Sequence, residues 1–226
     1  MIRYVAVVIP ARNEGDRIEE CLHSVVAAKA QCTVEVSITV VADNCNDDTA
    51  RIARNVPGVD VVEISAGNVG VARRTGVDNA ITALPFPLSS TWLANTDADS
   101  IVPPNWLASQ ICLANTGYDV VIGTVRPDPR EYPVDRQTQW EKTHIKGQPN
   151  GHVHGANLGV RASAYSAIGG YSSLPEHEDV DLVARLSSFR QVASDDAEVV
   201  TSARTSGRTP GGYAGYLRKQ VQQTPV

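Results

Sequence analysis

The alternation of short β-branched runs with amphipathic stretches over the first 125 residues constrains the fold of this chain more than any other feature. Residues 4–9, YVAVVI, are continuously apolar, the pattern of a strand covered on both faces. Pro10 is expected to stop that strand. A helix is expected over residues 16–30, with Ile18, Cys21, Leu22, Val25 and Val26 on one face. Further strands are expected at residues 34–42, 59–64, 91–96 and 118–125. The intervening helices fall at residues 49–56, at 71–84 and through Trp106 and Leu113. Asp47 or Asp48 is placed to cap the second helix, and Pro103 and Pro104 suit the first turn of the fourth. Such alternation builds right-handed βαβ units on a mostly parallel sheet with helices on both faces, an α/β fold. Ligands of such sheets sit outside the carboxyl ends of the strands. Those ends carry residues 10–14, 43–49, 67–74 and 97–99, where polar side chains gather.

The periodicity breaks after residue 125. Residues 126–150 are polar and Pro-rich, a long loop or a short helix around 134–144. Residues 152–171 return to strand and helix, stopped by Gly169-Gly170, which places His152 and His154 on one face of a strand. A helix is expected at 179–189 and a last strand at 198–203, before a Gly-rich basic tail.

With 226 residues, 42% hydrophobic and 20% charged, the chain can bury a sizeable core. A net charge of −5 argues against a general nucleic-acid binder, which needs a basic face. The basic residues are 16 Arg and only four Lys, and Arg forks suit phosphate and carboxylate groups. The cysteines Cys21, Cys32, Cys45 and Cys112 form no CxxC pair and no zinc spacing, which fits free thiols in the cytoplasm. No apolar run approaches the roughly 18 residues of a membrane span, and residues 1–15 lack the features of a signal peptide.

The sharpest motif is Asn95-Thr96-Asp97-Ala98-Asp99 at a strand end. Two carboxylates two residues apart on a tight turn can share a divalent cation; they can equally be turn caps. Pro10-Ala11-Arg12-Asn13-Glu14 can face a ribose, base or phosphate, or simply cap the following helix. Asp43 can accept a base N–H or cap its own loop. Gly67-Asn68-Val69-Gly70-Val71-Ala72-Arg73-Arg74 sets Arg at a loop-to-helix junction suited to a diphosphate, but it is not the GxGxxG of dinucleotide folds. His152 reads as structural, and His154 as the better acceptor contact. Trp92 and Trp106 read as core, while Trp140 is equally a sugar-stacking platform or a loop anchor.

Together these segments resemble the family 2 glycosyltransferases, which have the GT-A fold, with a Rossmann-like single domain. The resemblance rests on "IPARNE", "ADNCNDDT", the Gly/Arg helix start and the DxD. It continues in His154-Gly155-Ala156-Asn157, Gly169-Gly170-Tyr171, Glu178-Asp179 and Arg185-Leu186, and covers roughly residues 4–205. Val200-Thr201-Ser202-Ala203-Arg204 is similar to a short branch lacking a membrane tail. The resemblance implies a single domain over 1–226, with residues 1–125 binding nucleotide and 126–205 shaping the acceptor and catalytic half. Residues 206–226 would be a flexible or lid-like tail; Arg204, Arg208 and the Gly-rich stretch themselves suggest a lid that folds over a diphosphate, or a frayed C-terminus with solvated charge. It implies transfer from a UDP- or GDP-sugar to a hydroxyl of an unknown glycan, lipid or small molecule, with inversion. Asp43 would contact the nucleobase, and Pro10, Ala11, Arg12, Glu14, Gly67 and Arg73 would line the donor pocket. Asp97 would approach the ribose or metal, and Asp99 would be the principal ligand of Mn²⁺ or Mg²⁺. Asp179, beside Glu178, would be the general base. Ala42 departs from the family's usual leading acid in that block, so the nucleobase stays open. Oligomeric state is also open.

Two other classes compete. A sugar-nucleotide pyrophosphorylase would want a glycine-rich loop with Lys after the first strand, which "IPARNE" lacks. A non-catalytic nucleotide-sugar-binding protein would have no need of Asp97, Asp99 and Asp179 together.

Overall fold

The computed structural model describes residues 1–82, 86–207 and 211–222. Its strands are β1 (Tyr4–Ala11), β2 (Glu35–Asp43), β3 (Asp60–Ile64), β4 (Thr91–Asn95), β5 (Ser100–Ile101), β6 (Val120–Pro127), β7 (Leu158–Arg161) and β8 (Gln191–Thr201). The α-helices are α1 (Ile18–Ala30), α2 (Thr49–Arg54), α3 (Val69–Thr82), α4 (Trp106–Asn115), α5 (Val134–Thr143), α6 (Ala162–Ala167), α7 (Glu178–Arg185) and α8 (Tyr213–Gln222). The strands form one sheet in the order β3-β2-β1-β4-β7-β6-β8-β5. Pairs β2–β3, β1–β2, β1–β4 and β6–β8 are parallel. Strand β7 inserts antiparallel between β4 and β6, and β5 lies antiparallel on β8.

The strands alternate between two cores, one on each face of the sheet. Val5, Val7 and Ile9 pack with Ile18, Leu22 and Val25 of α1 and Trp106 and Leu107 of α4. Ala6 and Val8 pack on the other face with Val77 of α3 and Leu182 of α7. Gly76 lets α3 sit close: a Cβ there would come within 2.5 Å of the Val8 side chain. Both tryptophans expected in the core are fully buried, and both indole N–H groups are paired. Trp92 donates to Gln110 at 2.8 Å and Trp106 to Asn157 at 2.9 Å.

Several expectations are corrected. Pro10 does not end β1, which pairs with β2 as far as Ala11. Strand β4 leaves β1 after Val8, so the missing N–H of Pro10 falls where the ladder needs no donor on that side. His152 and His154 lie on irregular backbone ahead of β7, not on a strand. Helix α7 ends at Arg185, and β8 begins at Gln191 rather than 198. Its pairing with β6 jumps from Gly123–Ser194 to Val125–Val199, so residues 195–198 bulge from the ladder. Asp47 rather than Asp48 accepts the Thr49 N–H, at 3.0 Å; Asp48 pairs with Arg51 instead. Residues 83–84 of the expected third helix, and Arg208, lie outside the described residues. The tail contains helix α8, docked through buried Leu217 beside Tyr132 and Ala203, with Trp140 and Tyr213 packed against that cluster. Among the described residues no helix is long and apolar enough to cross a membrane. The four cysteines are free.

Candidate active site

The carboxyl ends of β1, β2 and β4 open onto a cavity of about 520 Å³. Strand β1 supplies Pro10 and Ala11, followed by Arg12 and Glu14, and β2 supplies Asp43. Gly67 and Arg73 come from the start of α3 and the loop before it, and Asp97 and Asp99 from the turn after β4. Trp140, His154, Glu178 and Asp179 line it as well. Every candidate donor, catalytic, acceptor and metal residue inferred from the sequence, Arg208 apart, therefore lines the same space.

Local hydrogen bonds fix these loops. Asn13 and Asn44 adopt left-handed backbone (φ 51° and 54°), a conformation that Asn tolerates better than most residues. The Asn13 side chain accepts the Asn46 N–H at 2.8 Å, Thr49 Oγ1 accepts the Glu14 N–H at 2.8 Å, and Asp47 accepts the Gly15 N–H at 2.9 Å. The ends of β1 and β2 are thus laced together. The buried Asp43 carboxylate accepts three backbone N–H groups, from Ala66 and Gly67 at 2.8 Å and from Asn68 at 2.7 Å. It holds the loop into α3 while still bordering the cavity.

Arg73 is buried at 2% exposure. Its Nε donates to Glu178 at 2.8 Å and its Nη2 to Asp97 at 2.6 Å, while Nη1 has no partner among the described residues. Burial opposes its charge, but Asp97, Tyr171 and Glu178 more than offset that and raise its pKa. Gly155 permits the fork: a Cβ there would lie 2.2 Å from Nη2. Arg73 therefore ties the DxD turn to the start of α7.

Glu178 and Asp179 separate at that start. Glu178 is buried against Arg73, and burial raises its carboxyl pKa despite the nearby guanidinium. Asp179 is only half-buried, accepting the Gly155 N–H at 2.6 Å and the Val180 N–H at 2.8 Å. His177, in left-handed backbone at φ 61°, turns the chain into the helix.

The DxD turn meets a second arginine. Arg204 donates to both Glu14 oxygens at 2.9 and 2.8 Å, and its Nη2 lies 2.8 Å from Asp99 Oδ2. Burial pushes the Asp99 carboxyl up to about 6 against the pull of Arg204, with Asp97 and Glu14 adding to the rise. Asp97 and Asp99 are hard oxygen donors bordering open space. Among the described residues no group of three or more His, Cys, Asp or Glu could hold a metal ion by itself. This donor set fits a cation such as Mg²⁺ that binds through one or two carboxylates, completed by phosphate oxygens and water.

The wall facing Asp179 is aromatic. Trp140 stacks on His144 at 3.5 Å between centroids and meets Tyr213 and Tyr216 edge-on at 6.3 Å. Tyr213 packs edge-on against His154 at 5.7 Å. Burial lowers the His154 pKa to about 4, despite the opposing Asp179. Sequence reasoning missed His144, Tyr213 and Tyr216 as wall residues, although the i, i+3 spacing of the two tyrosines is a helix-face signal.

Solved structures share this fold. Over 94% of this chain and 62% of theirs, the coordinates match Staphylococcus aureus TarS residues 1–349 in complex with UDP-GlcNAc, with a TM-score of 0.69 and 16% identity. The mannosyltransferase PcManGT from Pyrobaculum calidifontis, in complex with GDP-Man and Mn²⁺, matches over 98% of this chain and 65% of its own, with a TM-score of 0.60 and 18% identity. The fold is that of the GT-A glycosyltransferases, with a mostly parallel central sheet flanked by helices. Residues 6–169 match the family described as Glycosyl transferase family 2, and the chain belongs to that family of enzymes. It is 32% identical over 155 residues to the undecaprenyl-phosphate 4-deoxy-4-formamido-L-arabinose transferase of Edwardsiella ictaluri, which covers 67% of this chain and 44% of that enzyme. The enzyme of that name from Klebsiella pneumoniae subsp. pneumoniae is 32% identical over 137 residues, 61% of this chain and 41% of its own. The chain thus spans less than half the length of these relatives.

Proposed function

We propose that this glycosyltransferase moves a sugar from a UDP- or GDP-sugar to an acceptor hydroxyl, with Mn²⁺ or Mg²⁺ bound at Asp97 and Asp99. The observation that carries the reading is the meeting, across one cavity, of the Asp97/Asp99 pair with the half-buried Asp179. Residues 1–125 hold the donor, and residues 126–205 with the tail shape the acceptor side of a single domain. Pro10, Ala11, Arg12 and Gly67 border the nucleoside, and Asp43 both fixes the loop before α3 and faces the base. A divalent cation, when bound, offsets charge that develops on the departing diphosphate. Asp179 takes the proton from the acceptor hydroxyl, and attack opposite the leaving group inverts the anomeric centre. Glu178 does not share that proton; locked on Arg73, it orients the start of α7. Trp140 and His154 contact the acceptor, the former by stacking on a ring. The free thiols suit a reducing cytoplasm. The lipid phosphate named for the Edwardsiella and Klebsiella relatives is a different kind of acceptor to test, one whose ionised oxygen would attack with no proton for Asp179 to take.

A thermal-shift screen of nucleotide-sugars, with and without Mn²⁺, tests the donor half of this reading. A ligand that binds only the folded state raises the midpoint by mass action. A Mn²⁺-dependent rise with a UDP- or GDP-sugar, lost in Asp99→Ala, is expected. Absence of any rise with every nucleotide-sugar would sink the reading.

A further inference from the structure

Arg204 has no part in the chemistry above, yet it contacts two of the carboxylates that border the donor side. Its guanidinium spans Glu14, whose side chain is 7% exposed, and Asp99, at 13%. The arginine is held in place by its own segment. Glu131 accepts the Ser202 hydroxyl at 3.1 Å and the Ala203 N–H at 3.0 Å, and Arg17 pairs with Glu131 at 2.6 Å. Arg204 is therefore a positioned counter-ion rather than a loose surface side chain.

The contact with Asp99 bears on cation binding. The carboxylate that Arg204 contacts is one of the two proposed to hold a divalent cation, and a cation beside the guanidinium would meet like charge at short range. A lone cation must displace an ion pair that is mostly withdrawn from water and leave Glu14 and the fork imperfectly matched. A nucleoside diphosphate changes the balance, because its oxygens accept a guanidinium fork as carboxylates do.

We propose that Arg204 is the resident counter-ion of Asp99, that it keeps a lone divalent cation out, and that it passes its fork to the diphosphate when nucleotide arrives. Cation and diphosphate then bind as a coupled pair through this one side chain. The inference rests on the donor reading above and adds to it the residue that sets the order of loading.

The test is a Mn²⁺ titration followed by the electron paramagnetic resonance signal of free Mn²⁺. It is run on wild type, Arg204→Gln and Arg204→Lys, each alone and with UDP or GDP, with circular dichroism checking each fold. Without nucleotide, Arg204→Gln is expected to bind Mn²⁺ about tenfold or more tighter than wild type. The further gain on adding UDP or GDP is expected to shrink in that variant. Arg204→Lys, which keeps the charge but not the fork, is expected to fall between the two; it decides the matter if the Gln variant does not fold. Equal Mn²⁺ affinity of wild type and the folded variants without nucleotide would overturn the proposal. Failure of both UDP and GDP to bind wild type would instead overturn the donor reading, while the nucleotide-free comparison still decides the role of Arg204.

Discussion

Arg73 and Glu178 form a buried ion pair at 2.8 Å, with side chains 2% and 6% exposed, between helix α3 and the start of α7. Removing one partner strands a charge away from water. Arg73→Ala is expected to cost about 3–5 kcal/mol in urea denaturation, the range for breaking buried pairs. Joint replacement by Arg73→Met and Glu178→Leu is expected to recover most of that stability while abolishing activity, because Asp97 loses its partner.

Gly155 offers a gentler perturbation of the same arginine. A methyl group there would sit 2.2 Å from Arg73 Nη2, so the guanidinium must shift. Gly155→Ala is expected to destabilise the fold by about 1–3 kcal/mol, the usual cost of overpacking. A Gly155→Ala protein as stable as wild type would show that the fork has room to move.

Asp179 and Glu178 are distinguishable by kinetics. Asp179→Asn is expected to lower kcat by about 10²–10⁴-fold, the usual contribution of a general base, with nucleotide-sugar affinity kept. Glu178→Gln is expected to lower the unfolding midpoint as well as the rate. Equal rate losses with equal stabilities in the two variants would reverse or merge these roles.

Trp140, proposed to contact the acceptor, gives the cavity its own optical probe. Trp92 and Trp106 are fully buried in the core, whereas Trp140 borders the cavity. Ligand-induced change in tryptophan fluorescence is expected to disappear in Trp140→Phe and to persist in His152→Ala.

His154 predicts a pH signature. Burial outweighs the opposing Asp179, and His152 and His144 add to the fall, so its pKa drops to about 4 from an ordinary 6.5. Between those values the unfolded chain binds a proton there that the folded chain does not. Stability contributed by neutral His154 is therefore fully present above pH 6.5 and is lost as pH falls toward 4. Thermal midpoints measured from pH 7 to pH 4 should fall less steeply in a folded His154→Asn variant than in wild type.

What could be read from the sequence was local. The strand ends and the residues that follow them were legible because β-branched runs, prolines and polar turns report on their own neighbourhood. That is why the DxD turn, Asp43 and residues 10–14 were placed together. The antiparallel insertion of β7 was not legible, since pairing direction depends on contacts distant in sequence. The first half of β8 was not legible because polar Ser194, Asp195 and Asp196 break its apolar run; Ser194 still pairs with Gly123, and the bulge follows it. Glu14 and Arg204 stand 190 residues apart, and no local pattern foretells such a pair.

Helix α8 reaches the molecule through Leu217 and the aromatic contacts of Tyr213, and none of its residues belongs to the sheet. On the proposed reading, substitutions in Tyr213 or Tyr216 are expected to change acceptor choice while the strands that carry Pro10 and Asp43 and precede Asp97 keep their register. Acceptor selectivity, so read, would drift independently of the scaffold that carries it.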